Sequence, residues 1–391
     1  MLQIKLRYSW LAGSENTQAL DQSLFNLLYA IHRTGSINKA ARDVGLSYRY
    51  VWGMVGKWQE IFGRPLVDMK RGRGARLTSF GEKLLWAEQR VRARLSPQLE
   101  SLAAEVEREL NQVFEVVRPS LRIHASHDLA LAQLRDLLAQ QNGARLDLQF
   151  RGSLDAMASL ARGDCDIAGF HIAENRSQPT PLHLSYRQYL KPRAHRLIYF
   201  VTRQQGLIVP AGNPRRIRGM RDVASSKARF VNRQQGSGTR LQFDQLLWEA
   251  GIEASEIDGY AQEEFTHLAV AATVASGMAD AGFGIKAAAV QYGLDFVPML
   301  NEDYFLLCKT EALKKQSMQS FAKFLQGPEF KTIVANLSGY DAARAGQAVS
   351  IREAMPWYDK TPGDEKSVPH NQPKEYRNEI ERAKRITRKS H

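Results

Sequence analysis

The run Asn232-Arg233-Gln234-Gln235-Gly236-Ser237-Gly238-Thr239-Arg240 brings together glycines, hydroxyls and two arginines. It follows a strand-like RFV and precedes LQFDQLLWEAG, whose apolar spacing is helical. Gly236 and Gly238 at such a junction let backbone N–H groups converge, and the hydroxyls of Ser237 and Thr239 can donate hydrogen bonds. The helix N-terminus adds its positive dipole end. Arg233 and Arg240 add formal charge. This is chemistry for holding an anion, and the competing reading is a plain strand-to-helix turn that needs glycine. The Gly-Lys-Ser/Thr ending of a Walker A loop is absent.

Two other strand ends repeat the theme. HASHD puts Ser126 and His127 where one strand meets its helix, and RGS puts Arg151, Gly152 and Ser153 where the next one does. Ligands of open α/β sheets collect beyond the carboxyl ends of the strands. Ser126, Ser153, Ser237 and Thr239 are therefore expected to converge on one cleft between two lobes. Each serine taken alone is more often only a helix cap.

A second constellation lies early, in TGSINKAARDVGLSYRYVWGMVGKW, from Thr34 to Trp58. A helix entering a DNA major groove needs short polar or basic groups near its N-terminus. Ser47, Tyr48, Arg49 and Tyr50, followed by Lys57, supply them on one predicted helix. Ser36, Asn38 and Lys39 on the preceding helix fit backbone phosphates. Lys70, Arg71, Arg73 and Arg76 surround a KRGRG turn and fit a wing along the backbone or in the minor groove. Any one of these charges could be an ordinary solvated side chain. Their joint placement on the exposed parts of one motif is the more specific signal.

The elements that must position these groups follow from periodicity. Residues 2–11 alternate like a strand, and 19–33 place Leu20, Leu24, Leu27, Leu28 and Ile31 on one helical face. Gly35 stops that helix, Ser36 and Ser47 cap two more, and Gly45 permits the turn between them. RPLVDMKRGRGARL reads as two strands, so residues 1–90 form a winged helix-turn-helix. In 91–118, Leu95, Leu99, Leu102, Val106, Leu110 and Val113 recur near the coiled-coil period, predicting a linker and dimerisation helix in preference to a helix lying on its own domain. Ser96-Pro97 predicts a break there. Strand–loop–helix repetition over 119–350 predicts a two-lobed α/β domain. Within it, LIYFVTRQQGLIVP reads as two strands, as do LDFVPML and YFLLCKT. Residues 351–391 read as a basic, flexible tail.

Charge agrees with this division. The chain of 391 residues carries a net charge of +13, and residues 1–95 hold 16 Lys/Arg against 7 Asp/Glu. A polyanion-binding module joined to a more neutral body is the expectation, with double-stranded DNA preferred to a membrane surface. No apolar run approaches the ~20 residues of a membrane span. The start resembles no secretory signal, and Cys165 and Cys308 form no metal or disulfide pattern, so a cytoplasmic protein without metal or cofactor is expected. Catalysis is not expected. Ser126-His127-Asp128 are adjacent, whereas triads assemble from separated positions. A ligand-independent nucleoid protein is the remaining alternative class.

The stretch GSINKAARDVGLSYRYVWGMVGKW, with GARLTSFGEKLL after it, resembles the DNA-binding domain of the molybdate-responsive ModE repressors and, more distantly, the LysR-type regulators. The resemblance spans about residues 19–90 and implies a homodimer, or a dimer of dimers, on a two-fold operator. FVNRQQGSGTR, THLAVAATVASGMADAGFGI and LDFVPMLNEDYFLL are similar to the periplasmic-binding-protein-like domain of some cytoplasmic regulators, also appended to certain molybdopterin-biosynthesis proteins. That resemblance implies a type 2 periplasmic-binding fold that senses a small molecule. It also singles out His267, for which a cleft-facing and a buried structural role stand side by side.

The effector expected from this chemistry is a small anion. Molybdate or tungstate suits hydroxyl and amide donors, with molybdenum-related genes as targets. A small carboxylate such as formate, with a formate dehydrogenase operon as target, suits an arginine inside the cleft through bidentate pairing.

Overall fold

The computed structural model describes residues 4–13, 17–70, 74–113, 120–140, 145–174 and 181–359. It divides into two compact units, one over Lys5–Ser96 and the other from Pro97 onward.

In the first unit a short pair, β1 (Leu11–Ala12) and β2 (Gln18–Ala19), precedes α1 (Gln22–Thr34), α2 (Ile37–Asp43) and α3 (Tyr48–Phe62). The hairpin of β3 (Val67–Lys70) and β4 (Gly74–Leu77) then leads into α4 (Ser79–Val113). Each of the first three helices starts on a side-chain cap: Asp21, Ser36 and Ser47 accept from the backbone N–H of Ser23, Lys39 and Tyr50. The core joins Leu24, Leu28 and Ile31 of α1 to Ala40 and Ala41 of α2 and to Val51, Val55 and Trp58 of α3. Gly74, at φ +78°, docks the hairpin so closely that an added Cβ would stand 2.3 Å from the Gly35 carbonyl oxygen.

Two sequence expectations fail here. The strand over 2–11 shrinks to Leu11–Ala12, because Tyr8 and Trp10 turn instead to the buried Glu88 carboxylate, donating at 2.9 and 2.6 Å. The break into two helices at Ser96-Pro97 is absent, and one helix runs from Ser79 to Val113. Pro97 lies inside α4, where the first unit gives way to the second. From there the helix docks on the second unit: Ser101 Oγ accepts from the Phe150 N–H at 3.0 Å, and Arg108 pairs with Asp147 at 2.7 Å. Leu102 and Leu110 of the predicted stripe remain exposed.

The second unit runs β5 (Ser120–Ala125), α5 (Leu129–Gln140), β6 (Arg145–Phe150), α6 (Ser153–Arg162), β7 (Ile167–Ala173), α7 (Pro181–Arg187) and β8 (His195–Val209). It continues through α8 (Met220–Ser225), β9 (Phe230–Arg233), α9 (Gly238–Ala250), β10 (Glu263–Glu264), α10 (His267–Ala275), β11 (Ala281–Ile285), α11 (Lys286–Gln291) and β12 (Asp295–Lys309). Helices α12 (Gln316–Gln326) and α13 (Pro328–Ala335), short strands β13 (Tyr340–Asp341) and β14 (Ala348–Val349), and α14 (Ile351–Ala354) complete it. One mixed sheet orders the strands β10-β9-β11-β8-β12-β7-β5-β6, with β13 and β14 also on β8.

This is a two-lobed α/β fold whose lobes share β8 and β12. The sequence predicted four strands where the structure has these two antiparallel strands of 15 residues each. They stay continuous because Gly206 yields space at the crossing: a Cβ there would meet the Val297 carbonyl at 2.1 Å. Pro298 falls beside a register irregularity, where a missing ladder donor is tolerated. One lobe is built on Ile123, Leu148, Ile167 and Phe170, and the other on Leu207, Phe230, Phe243 and Phe283. The tail assigned from 351 starts later, since Ile351, Met355 and Trp357 are buried in the first lobe. Residues 360–391 lie outside the described residues.

Candidate functional site

On the first unit the amphipathic pattern of α3 decides what faces outward. Val51, Met54, Val55 and Trp58 point inward, leaving Tyr48, Arg49, Tyr50, Gly53, Gly56 and Lys57 exposed. Asn38, Lys39 and Ser47 are exposed as well, Ser36 is half-buried, and both serines spend their Oγ on caps. Trp52 is half-buried and meets Tyr48 edge-on, with ring centroids 6.0 Å apart. Arg76 is exposed on β4 and Lys70 closes β3, while Arg71 and Arg73 lie outside the described residues. The post-wing L-T-x-x-G pattern has a local cause. Thr78 Oγ1 donates to the Pro65 carbonyl at 2.6 Å and accepts from the Gly81 N–H at 3.1 Å. A Cβ on Gly81 would meet the Leu66 carbonyl at 2.2 Å, so glycine is required there.

In the second unit the RGS loop lies near the glycine-rich run. A Cβ on Gly152, the N-cap of α6, would lie 4.0 Å from the Gly236 carbonyl oxygen in the other lobe's loop. Gly236 takes φ +74°, Ser237 caps α9 by accepting from the Arg240 N–H, and Thr239 Oγ1 accepts from Gln205 Nε2 at 3.3 Å. Ser153 Oγ, at 1% exposure, has no hydrogen-bond partner. Ser126 is already engaged: its Oγ donates to the Tyr304 hydroxyl at 3.2 Å, which donates back to the Ser126 carbonyl at 2.9 Å. His127 packs on Phe150, and burial pushes its imidazole down to about 4.

The two arginines of the glycine-rich run part company. Arg240 is bound within its own lobe, pairing with Asp244 and Glu263 at 3.2 Å each and stacking over Tyr260 at 4.1 Å. Its assignment to the ligand is therefore corrected: those carboxylates already neutralise it. Arg233 is 6% exposed and makes no ion pair among the described residues. Among the described residues its guanidinium donates only to the Phe265 carbonyl at 2.9 Å and to Gln234 Oε1 at 3.3 Å. Burial first, then the neighbouring Arg203, pushes its guanidinium down to about 9. A buried cation with no carboxylate bonded to it is costly, and an entering anion would supply that bond.

Behind Arg233 lies a network that the sequence did not single out. Arg203, 1% exposed, is held by Asp128 and Glu302. Asp128 also accepts from Tyr340 at 2.8 Å and from the first N–H groups of α5. Glu302 also accepts from Gln205 at 2.7 Å. His171 was missed too. It lies on β7, 3% exposed, with no hydrogen bond to either ring nitrogen. The signal for it was a histidine inside the otherwise apolar run IAGFHIA. His267, predicted by resemblance, opens α10 and is likewise 3% exposed with Nδ1 unpartnered. Among the described residues no group of three or more His, Cys, Asp or Glu is placed to hold a metal ion, and no helix is long and apolar enough to cross a membrane.

Comparisons with known proteins follow the same division. Residues 23–82 match the model of bacterial regulatory helix-turn-helix proteins of the lysR family. Residues 134–326 match the PBP superfamily domain. The uncharacterized protein YvgK of Bacillus subtilis (strain 168) is 32% identical over 205 residues, which are 51% of this chain and 64% of that protein. The molybdenum transport protein ModE of Azotobacter vinelandii is 37% identical over 71 residues, 17% of this chain and 26% of its own. The chain thus spans less than two thirds of the length of either relative. Among solved structures, HinK, a LysR family transcriptional regulator from Pseudomonas aeruginosa, superposes with a TM-score of 0.39 at 14% identity, covering 77% of this chain and 96% of its own.

Proposed function

We propose that this chain, which belongs to the lysR family of helix-turn-helix proteins in its first unit and to the PBP superfamily in its second, is a one-component transcription regulator. It binds double-stranded operator DNA through α3, α2 and the wing, and it senses a small anion in the cleft of the second unit. The lysR-family match points to a regulator rather than an enzyme. The observation that carries the anion reading is Arg233, a buried guanidinium without a carboxylate partner among the described residues, beside loops rich in N–H and hydroxyl donors.

Molybdate or tungstate is the first reading for the anion, supported by the ModE relative, with molybdenum-related genes as targets. A small carboxylate such as formate is the second, favoured by the arginine itself. Exposed Leu102 and Leu110 on α4 support a homodimer as the working form in the cytoplasm. Ligand binding would draw the lobes together and bias the helix that leads to the DNA-binding unit, by no more than its differential affinity for the two arrangements.

The test is calorimetry and thermal shift of the full chain against molybdate, tungstate, sulfate and formate, paired with operator binding. Saturable binding of one anion that alters operator affinity is the expected result. DNA binding without sequence preference and without response to any anion would instead leave a ligand-independent nucleoid protein.

A further inference from the structure

We propose that His171 and His267 contact the ligand, and that the anion enters the cleft together with protons taken up on these two rings. The inference rests on the anion reading above.

The geometry comes first. His171 lies against the start of α9, where a Cβ on Gly238 would stand 3.0 Å from its Nε2. His267 is the first residue of α10, and a Cβ on Gly284 would stand 3.2 Å from its Nδ1. Ser153 opens α6 with its own buried, unpartnered Oγ. Helices of 10, 13 and 9 residues thus each begin beside a polar side chain that is more than nine-tenths buried and lacks a hydrogen-bond partner at the atoms named. Buried polar atoms are seldom left unpaired unless something else fills the site.

Charge then asks for protons. The groups acting on His171 are Glu302 and Tyr304 from β12, Arg203 from β8, Asp128 before α5, and Arg233 from β9. The Tyr186 hydroxyl from α7 stands beside Gly238. Those acting on His267 are Arg233, Arg203, His171 and His127. Asp128 and Glu302 both pair with Arg203, so the charges of these two carboxylates and the two arginines sum to zero, although Arg233 has no bonded carboxylate among the described residues. Glu302 and, more weakly, Glu264 act on Arg233 from a distance. No surplus of positive charge waits for an anion. Burial holds both rings neutral, with the arginines adding to it. A proton from solvent on His171 would restore the balance, because Glu302 Oε2 lies 4.0 Å from its Nδ1. The charged ring would then face the carboxylate through Nδ1 and offer Nε2–H to the ligand. His267 supplies the second proton that a dianion needs. The proton count therefore reports ligand charge: up to two for molybdate or sulfate, one for formate.

Calorimetry of the full chain in two buffers of different ionisation enthalpy, with molybdate, sulfate and formate as probes, measures this directly. The expected result is a binding enthalpy that differs between buffers in the direction of proton uptake. Affinity should tighten as pH falls from about 8 to about 6, by up to about tenfold per pH unit for each proton. H171N and H267N should each remove their share of the proton count while weaker binding persists. Measurable binding with equal enthalpy in both buffers and a flat pH dependence overturns the proposal, and the unaltered chain alone decides this if a variant fails to fold. No binding of any probe at either pH overturns the anion reading itself, a visibly different outcome.

Discussion

The two units carry their candidate contacts in opposite ways. The first presents Lys39, Tyr48, Arg49, Tyr50, Lys57 and Arg76 in solvent. The second hides Ser153, His171, Arg233 and His267, each at 6% exposure or less. Exposed charges cost the fold little, and their worth depends on the partner and the salt. Buried, unpaired polar groups cost stability until a ligand pairs them. Glycines repeat the contrast. A Cβ on Gly53 or Gly56 of α3 would meet nothing within 4 Å, whereas one on Gly238 would meet the His171 ring at 2.8 Å.

The largest effect expected from this difference is in acid. Among the described residues five histidines have imidazoles pushed below their ordinary value, first by burial: His124, His127, His171, His195 and His267, all in the second unit. Above about pH 6.5 both folded and unfolded forms are neutral and stability is level. Below it the unfolded chain takes protons that the folded one refuses, so stability falls as pH drops toward about 4, the value to which His124 and His127 are lowered. Each such group contributes up to about 1.4 kcal/mol per pH unit. Asp244, Glu302 and Asp303, raised by burial, offset part of the loss because the folded state protonates them first. Thermal unfolding followed from pH 7 to pH 5 checks the sign. A second unit as stable at the lower pH would mean that its histidines are not held neutral.

Next in size is Arg233→Met. It should weaken anion binding by about a hundredfold, on the order of the 1.5–3 kcal/mol of a charge-assisted hydrogen bond. Because it removes an unpaired buried charge, the empty chain should melt at an equal or higher temperature. Calorimetry and thermal melts on the same sample separate the two effects. The control is Arg240→Met, which should destabilise the unit by stranding Asp244 and Glu263. If Arg240→Met instead abolished binding and left stability intact, the assignments of the two arginines would be reversed.

That pair also marks what the sequence could and could not disclose. Caps, turns and the wing were legible because their causes are local: Ser36, Ser47 and Ser237 each cap the helix they precede. The turn and cap of the glycine-rich run were legible for the same reason. Which of its two arginines keeps clear of carboxylates was not, since Asp244, Glu263 and Tyr260 reach Arg240 only after folding. His171 was missed because what marks it is a helix N-terminus that arrives from the other lobe. The two long strands were read as four because Gly206 and Pro298 look like breaks until they face each other across the crossing.

The exposed glycines give a smaller prediction, of opposite sign. Glycine inside a helix costs roughly 0.5–1 kcal/mol relative to alanine. Neither Gly53 nor Gly56 has an intramolecular packing reason to be there. On the proposed DNA-binding face they would let the helix sit close to the groove. Gly53→Ala and Gly56→Ala should each stabilise the first unit by that amount while weakening operator binding. A variant that gained stability and kept full affinity would show that the duplex does not approach this face closely.

The smallest effect belongs to the charges that flank α3. Lys39→Ala and Arg76→Ala remove exposed cations and should leave the melting temperature nearly unchanged. If each neutralises one phosphate, either variant lowers affinity alike for operator and non-operator DNA and reduces the salt slope of log K by about 0.9. Arg49, on the exposed face near the start of α3, behaves differently if it reads a base. Its alanine variant should cost roughly 1–3 kcal/mol on the operator and much less on other sequences. Equal losses at Lys39, Arg76 and Arg49 on every sequence would reduce the first unit to a phosphate binder, with no base readout through Arg49.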